Sequence, residues 1–240
     1  MLTRVVNSIR VRYRRTLGPG GKLKLAQYLD QRAANRVLEA IIAKTNDVET
    51  VRWLDRPIWQ YPLDAWVMQE MIGAIKPDLL VETGTCLGGS AYFFANLMDL
   101  MGHGEVISID IAPRGTMPHP RVTYIRGSSV DEKIIDGVKD RIKALDARAV
   151  LIMLDSDHSE AHVRQELERY APLIPVGSYF YVQDGCIDTL PSLRAGRPGP
   201  VPAVQSFLKA HPEFVRDTEA EFRYVMTAHP YGWLKRIAVG

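Results

Sequence analysis

The segment Leu79–Ser90 combines an apolar run with a glycine-rich turn. The apolar run is typical of a buried strand, and glycines at positions 84, 88 and 89 would let a ligand approach the backbone before a helix begins. A second apolar run ends at Asp110, about 20 residues beyond the last of these glycines. A carboxylate at that place can accept hydrogen bonds from both ribose hydroxyls of a bound nucleotide. The pattern therefore predicts a site for a nucleotide-like cofactor.

The spacing of the glycines indicates which cofactor this is. A dinucleotide-binding G-x-G-x-x-G match would need glycines at positions 82, 84 and 87, and only Gly84 is there. Glu82 lies in the turn, where it would meet a cationic amino group, and the turn has no basic residue for phosphates. These features favour S-adenosylmethionine (SAM), with Ser128 and Ser129 at the adenine edge. Helix capping by Glu82 and an ordinary acidic turn at Asp110 are the alternatives.

Polar side chains follow two further apolar runs. Asp155 ends one run, and Gln183 and Asp184 end the next. Neighbouring parallel strands lie about 4.8 Å apart, so oxygens at two adjacent strand ends can converge on one hard cation. Two carboxylates and an amide oxygen suit Mg²⁺. Helix capping by Asp155 and a turn at Asp184 would explain the same residues without a metal.

His158 follows Asp155 by three residues and is the predicted general base. A bound metal ion lowers the pKa of an oxygen acid beside it, and a nearby histidine can take the released proton. His158 and His162 also have the spacing of a zinc-binding pair. Glu160, between them, stands one place too late for the metalloprotease pattern. His162 is therefore expected on a helix surface.

Alternating strands and helices would position these side chains, and alternation of this kind indicates a Rossmann-like α/β fold with helices on both faces of a parallel sheet. The predicted strands are Leu79–Glu82, Val106–Asp110, Val122–Ile125, Val150–Asp155 and Tyr179–Gln183. The predicted helices are Lys24–Thr45, Leu63–Ile75, Ser90–Leu100, Glu132–Ala144 and Glu160–Tyr170. Phe214–Glu219 and Phe222–Thr227 predict an antiparallel hairpin that closes a seven-stranded sheet.

The composition is that of an ordinary globular domain, with 46% hydrophobic and 24% charged residues among 240. A net charge of +2 gives no reason to expect nucleic acid as a partner. Two cysteines, Cys86 and Cys186, make a disulfide framework unexpected. The sequence has no signal-peptide core and no apolar run near 18 residues, so we expect no transmembrane segment and a cytoplasmic location.

The charge is uneven along the chain. Residues 1–24 hold seven Lys or Arg and no acid, which defines a basic N-terminal arm. A solvated tail and a contact with a partner subunit or an anionic surface are both compatible with it. The predicted organisation is this arm, a helical segment over residues 25–76 and a SAM-binding domain over residues 77–240. The extra N-terminal helices suit a homo-oligomer.

Several motifs resemble one known family. They are Tyr61-Pro62-Leu63-Asp64 with Gln69-Glu70, then Val81-Glu82-Thr83-Gly84-Thr85 with Gly88-Gly89-Ser90, Leu154-Asp155-Ser156-Asp157-His158, Gly199-Pro200, and Thr227-x-x-Pro230-x-Gly232-x-Leu234. The sequence resembles the cephalosporin hydroxylase-like family over about residues 50–237. Despite its name, that family consists of SAM-dependent, Mg²⁺-assisted O-methyltransferases and includes rhamnosyl O-methyltransferases. The resemblance implies a class I SAM-dependent methyltransferase fold.

The resemblance also implies roles for individual residues. Carried over by position, Glu82, Gly84, Gly88 and Ser90 would line the SAM pocket, with Asp110 on the ribose. The full predicted set of SAM-binding residues adds Thr85, Ser128 and Asp157. Asp155, Gln183 and Asp184 would hold Mg²⁺, and His158 stands where related metal-dependent methyltransferases have a general base. The family usually has a Glu-Asp pair where this chain has Gln183-Asp184, so the loss of one negative charge predicts weaker metal affinity.

The expected function is methylation of a hydroxyl of a small molecule, a sugar or a secondary-metabolite glycoside. Two other classes remain open. A non-catalytic SAM-binding partner subunit would explain the glutamine at position 183. A non-haem iron hydroxylase would require two histidines and one carboxylate at the metal.

Overall fold

The fold is built on a seven-stranded sheet in the order β5-β4-β3-β6-β7-β9-β8. The computed structural model describes residues 31–45, 47–193 and 198–239. The sheet strands are β3 (Leu79–Thr83), β4 (Glu105–Asp110), β5 (Val122–Arg126), β6 (Val150–Leu154), β7 (Tyr179–Val182), β8 (Phe214–Arg216) and β9 (Trp233–Arg236). Strands β3 to β7 pair in parallel, and β9 pairs antiparallel with both β7 and β8.

The central strands are apolar on both faces because helices cover both sides of the sheet. Every residue of β3, β6 and β7 is buried. Leu79 and Val81 belong to one hydrophobic cluster, whereas Leu80 between them packs in a second cluster on the other side. This burial on both faces explains why the sequences of these strands are largely continuous apolar runs.

The other described elements include helices and a two-stranded ribbon. They are the helices α1 (Gln31–Thr45), α2 (Pro62–Ile75), α3 (Gly89–Met101), α4 (Glu132–Ala144), α5 (Glu160–Tyr170), α6 (Cys186–Thr189), α7 (Pro200–Ala210) and α8 (Thr218–Glu221), with a two-stranded ribbon of β1 (Arg52–Trp53) and β2 (Arg56–Pro57). The chain divides into two units between Val37 and Leu38. None of the described helices has the length and apolarity needed to cross a membrane.

The mostly parallel seven-stranded sheet confirms the predicted fold class, and the predicted helices α4 and α5 have the bounds seen in the structure. The basic arm and the first residues of the predicted helix over 24–45 lie outside the described residues. The proposed division at residues 24 and 76 stays a prediction.

The closing antiparallel pair exists, but its second strand was predicted in the wrong place. Phe214–Arg216 pairs with Trp233–Arg236, and the predicted strand Phe222–Thr227 does not form. Val225 has a φ of 76°, which an extended strand cannot contain, and Phe222 is 40% exposed. Glu221, one of the two residues between the predicted strands, ends α8 and pairs with Arg216.

Candidate active site

A cavity of about 710 Å³ lies at the carboxyl ends of the parallel strands. The chain order reverses here, because β3 has β4 on one side and β6 on the other, and ligands bind at such switch points. Eleven of the thirteen predicted site residues line the cavity: Gly84, Thr85, Ser90, Asp110, Ser128, Ser129, Asp155, Asp157, His158, Gln183 and Asp184. Glu82 and Gly88 do not line it.

The glycine turn joins β3 to α3. Gly84 has a φ of 98°, and its amide donates to the Ile109 carbonyl at 2.7 Å, which ties the turn to the end of β4. Gly88 has a φ of 78° and caps α3, with its own amide donating to the Thr85 carbonyl at 2.7 Å. Both conformations favour glycine. The turn therefore places Thr85 and Ser90 at the cavity wall while Gly88 faces away.

Asp110 closes the other side of this turn. One carboxylate oxygen accepts from the Cys86 amide at 3.0 Å, and the other accepts from the Ala112 amide at 2.8 Å. Each oxygen keeps a second lone pair, and the side chain lines the cavity. Asp110 can therefore stabilise the turn and still accept hydrogen bonds from ribose hydroxyls.

Glu82 lies beneath the turn rather than in it. It is fully buried, and one of its oxygens accepts from the Ser108 hydroxyl at 2.5 Å. Its other oxygen has no partner among the described residues. Burial raises the pKa of Glu82 to about 7, against the lowering effect of hydrogen bonds from Ser108 and Ser90. Glu82 does not line the cavity, and its contact with the cofactor's amino group stays a prediction.

Three ionisable side chains meet where β6 and β7 end. Asp155, His158 and Asp184 each offer one possible metal-ligand atom, and these three atoms lie within 4.8 Å of one another. His158 Nε2 is 3.3 Å from an Asp184 oxygen and 3.9 Å from an Asp155 oxygen. Burial, followed by the Asp184 carboxylate, raises the pKa of Asp155 well above its usual range. Two acids held this close together favour a cation between them.

Gln183 makes a reciprocal amide pair with Gln60. Each side chain donates to the other, at 2.9 and 3.0 Å, and both are buried. With the Gln183 amide turned over, its nitrogen lies 3.1 and 3.2 Å from the two Asp155 oxygens. Either orientation places a neutral amide beside Asp155. Gln60 was not predicted, although it directly precedes the Tyr61-Pro62 motif.

His162 lines the cavity, which corrects the expectation of a helix-surface residue. Its Nε2 lies 3.1 Å from the Ser129 hydroxyl and 3.5 Å from the buried Glu166 carboxylate. The Glu166 carboxylate raises the pKa of His162 against the effect of burial. The end of the cavity assigned to adenine thus includes an imidazole that spacing alone did not place there.

Two aromatic side chains, Trp59 and Tyr61, also line the cavity. The Trp59 side chain is 45% exposed. Trp53, by contrast, packs edge-on against Phe93 at 4.8 Å between ring centroids and belongs to the core. An exposed aromatic face at a cavity mouth can stack on an apolar face of a ligand.

The strand order and the polar strand ends together define a SAM-dependent methyltransferase with a Rossmann-like fold. Residues 45–237 match the family model described as "Rhamnosyl O-methyltransferase/CmcI". The chain therefore belongs to that family, as the motifs predicted.

Curated relatives and solved structures agree with this membership. A rhamnosyl O-methyltransferase of Mycobacterium tuberculosis (strain ATCC 25618 / H37Rv) is 33% identical over 184 residues, which cover 74% of this chain and 75% of the relative. The Mycobacterium leprae (strain TN) protein of the same name is 30% identical over 192 residues, covering 78% and 83%. An apo structure of CmcI has a TM-score of 0.63 at 20% identity, covering 80% of this chain and 78% of that one. A CmcI structure described with Mg and SAM has a TM-score of 0.60 with the same identity and coverage.

Proposed function

We propose that the protein transfers a methyl group from SAM to a hydroxyl of a rhamnosyl-type sugar or glycoside, with assistance from Mg²⁺. The carrying observation is the convergence of Asp155, His158 and Asp184 in one cavity with the glycine turn. The relatives named for rhamnosyl O-methylation support the sugar acceptor.

The residues that line the cavity fit both Mg²⁺ and SAM. The Asp155 and Asp184 carboxylates are suitable ligands for a hard cation, and the pKa of Asp155 is raised. The neutral Gln183–Gln60 pair adds amide oxygens beside them. Gly84, Ser90, Asp110 and Ser128 would hold SAM along the other side of the cavity. When bound, SAM supplies an electrophilic methyl group and Mg²⁺ supplies positive charge that acidifies an adjacent hydroxyl.

His158 is the group that would remove the acceptor proton. Its Nε2 faces the Asp184 carboxylate at 3.3 Å, which orients the ring and stabilises the imidazolium that forms. With SAM bound, the acceptor hydroxyl would lose its proton to His158 and gain the methyl group, and the carbon–sulfur bond of SAM would break. S-adenosylhomocysteine and the methyl ether are the products.

The two alternative functions would require different side chains at this site. An iron-dependent hydroxylase would need two histidines and one carboxylate, whereas this cluster has one histidine and two carboxylates among the described residues. A non-catalytic subunit would have no use for a base held beside paired acids. Homo-oligomeric assembly and a cytoplasmic location stay predictions.

Calorimetric titration of S-adenosylhomocysteine, with and without millimolar Mg²⁺ and a panel of rhamnosides, tests the proposal. We expect cofactor-product binding in both conditions and acceptor binding that depends on Mg²⁺. Failure to bind S-adenosylhomocysteine would refute the methyltransferase assignment. Acceptor binding that does not depend on Mg²⁺ would refute only the role of the metal and would leave the methyltransferase assignment intact.

A further inference from the structure

We propose that the buried side chain of His229 is a positioning residue that holds Asp184 in its metal-binding conformation, by accepting the Asp184 backbone N–H in place of a sheet partner. The inference rests on the proposed function only in taking Asp184 as a metal ligand. It gives a role to the Thr227–Leu234 motif and to the Tyr61–Asp64 motif, which the mechanism has not used.

The segment after β7 continues a hydrogen-bond ladder beyond the end of the sheet. Alternate amides donate toward the segment 228–232: Val182 to the Gly232 carbonyl at 2.9 Å, and Cys186 to the Ala228 carbonyl at 2.9 Å. Between them, the Asp184 amide donates to Nδ1 of the His229 ring at 2.7 Å. A side chain therefore supplies the acceptor that a strand backbone would otherwise provide.

The Asp184 backbone needs such an acceptor. Its φ of 58° is a left-handed conformation that costs a non-glycine residue about 1 kcal/mol or more. The adjoining chain is packed closely around it, because a Cβ atom on Gly185 would lie 2.2 Å from the Pro230 carbonyl oxygen. The left-handed turn directs the Asp184 carboxylate toward His158 Nε2 at 3.3 Å.

The His229 ring is held so that only Nδ1 can accept. It is 1% exposed and lies between Tyr61 and Tyr181, with ring centroids 5.6 and 5.4 Å away. Nδ1 accepts the Asp184 amide proton at 2.7 Å, so the ring carries its own proton on Nε2. The Asp64 carboxylate lies 3.9 Å from that Nε2.

Asp64 fixes the loop that carries His229. One of its oxygens accepts from the Thr227 hydroxyl at 2.5 Å, and the other accepts from the Ala228 amide at 3.0 Å. The Thr227 hydroxyl oxygen in turn accepts from the His229 amide at 2.9 Å. The chain of contacts thus runs from the first turn of α2, through residues 227–229, to Asp184. This explains why two motifs more than 160 residues apart occur together with the metal site.

Substitutions at position 229 separate this role from simple packing. His229→Leu fills similar space without an acceptor, whereas His229→Asn places an oxygen close to the position of Nδ1. We measure Mn²⁺ binding by electron paramagnetic resonance, S-adenosylhomocysteine binding by calorimetry, and hydrogen–deuterium exchange of the segment 182–186 in the metal-free protein. Thr227→Val is the second variant, should the leucine variant fail to fold.

We expect His229→Leu to weaken Mn²⁺ binding by about tenfold or more and to speed exchange at 182–186, with unchanged affinity for S-adenosylhomocysteine. His229→Asn should recover part of the metal affinity, and Thr227→Val should lose less than the leucine variant. Equal Mn²⁺ binding by the wild type and His229→Leu would overturn the inference and leave the proposed function intact. No Mn²⁺ binding by the wild type would instead refute the metal site itself, and the inference with it.

Discussion

The backbone carbonyl oxygen of Asp155 lies 2.0 Å from where a Cβ atom would stand on Gly84. The glycine turn after β3 and the Asp155 end of β6 are therefore in direct backbone contact. The Asp155 amide also donates to the Thr83 carbonyl at 3.0 Å, immediately before the turn. The two halves of the site are consequently held at a fixed separation, as transfer between two bound reactants requires.

Gly84→Ala should separate these halves. Alanine at this position would have a strained φ of 98°, and its methyl group would clash with the Asp155 backbone, which cannot rotate away. We therefore expect destabilisation of about 2 kcal/mol or more and loss of S-adenosylhomocysteine binding. Gly102→Ala is the matched control, because Gly102 has a φ of 66° but nothing within 4 Å of its Cβ position. Thermal unfolding and calorimetry measure both effects. Equal losses in the two variants would mean that the Asp155 contact is unimportant.

His158→Ala should lower kcat by roughly 10²- to 10⁴-fold, because among the described residues it is the histidine that lies within 4 Å of both Asp155 and Asp184. S-adenosylhomocysteine affinity should not change. His103→Ala serves as the control, since that histidine pairs with Asp78 at the opposite end of the strands. A methyl-transfer assay on a rhamnoside measures the change. Wild-type turnover in His158→Ala would remove this residue from the mechanism.

Trp59→Ala should raise the acceptor KM by roughly twofold to tenfold, the value of one lost aromatic contact, and leave S-adenosylhomocysteine binding unchanged. Trp66→Ala provides a comparison, because Trp66 is 59% exposed yet does not line the cavity. Initial-rate kinetics with varied rhamnoside distinguish the two. The same small effect in both variants would place the acceptor elsewhere.

Glu82→Gln should change how stability depends on pH. Burial raises the pKa of Glu82 from 4.5 to about 7, so the folded protein holds this proton more tightly than the unfolded chain. The unfolding free energy should therefore fall as pH rises from 4.5 to 7, by on the order of 3 kcal/mol, and level off above pH 7. The glutamine variant should lack this decline.

Urea unfolding at pH 5 and pH 8 measures the difference in cofactor-free protein. Glu132→Gln removes one carboxyl at the exposed start of α4 and controls for the change in net charge. Parallel pH profiles for wild type and Glu82→Gln would show that Glu82 ionises as easily in the folded protein as in the unfolded chain.

The parallel sheet could be predicted because each of its strands carries its own local signal. Strands such as β6 are continuous apolar runs bounded by polar residues, and amphipathic helices separate them. The antiparallel edge lacks such a signal. β9 is short and ends in Lys235 and Arg236, whereas Phe222–Thr227 has the alternation of a strand but contains the left-handed Val225. The choice between these two segments depends on hydrogen-bond pairing with β8, whose partner is distant in sequence. A local sequence pattern carries no information about such pairing.

The acids of the candidate site could be predicted from their places at strand ends. Asp110, Asp155 and Asp184 each follow an apolar run, and the sheet topology brings such ends together. His162 and Gln60 escaped prediction because each depends on a partner distant in sequence, Ser129 and Gln183 respectively. His229 had one available signal, its place inside the Thr227–Leu234 motif.

The position of β9 has a consequence for protein synthesis. β9 lies between β7 and β8 although it follows both in sequence, so β7 keeps an open edge until residues 228–236 have left the ribosome. Strands β3, β4 and β5, which carry the cofactor turn and Asp110, all precede residue 130. In a nascent chain, the cofactor half of the site can therefore begin to assemble well before Asp184 acquires its acceptor.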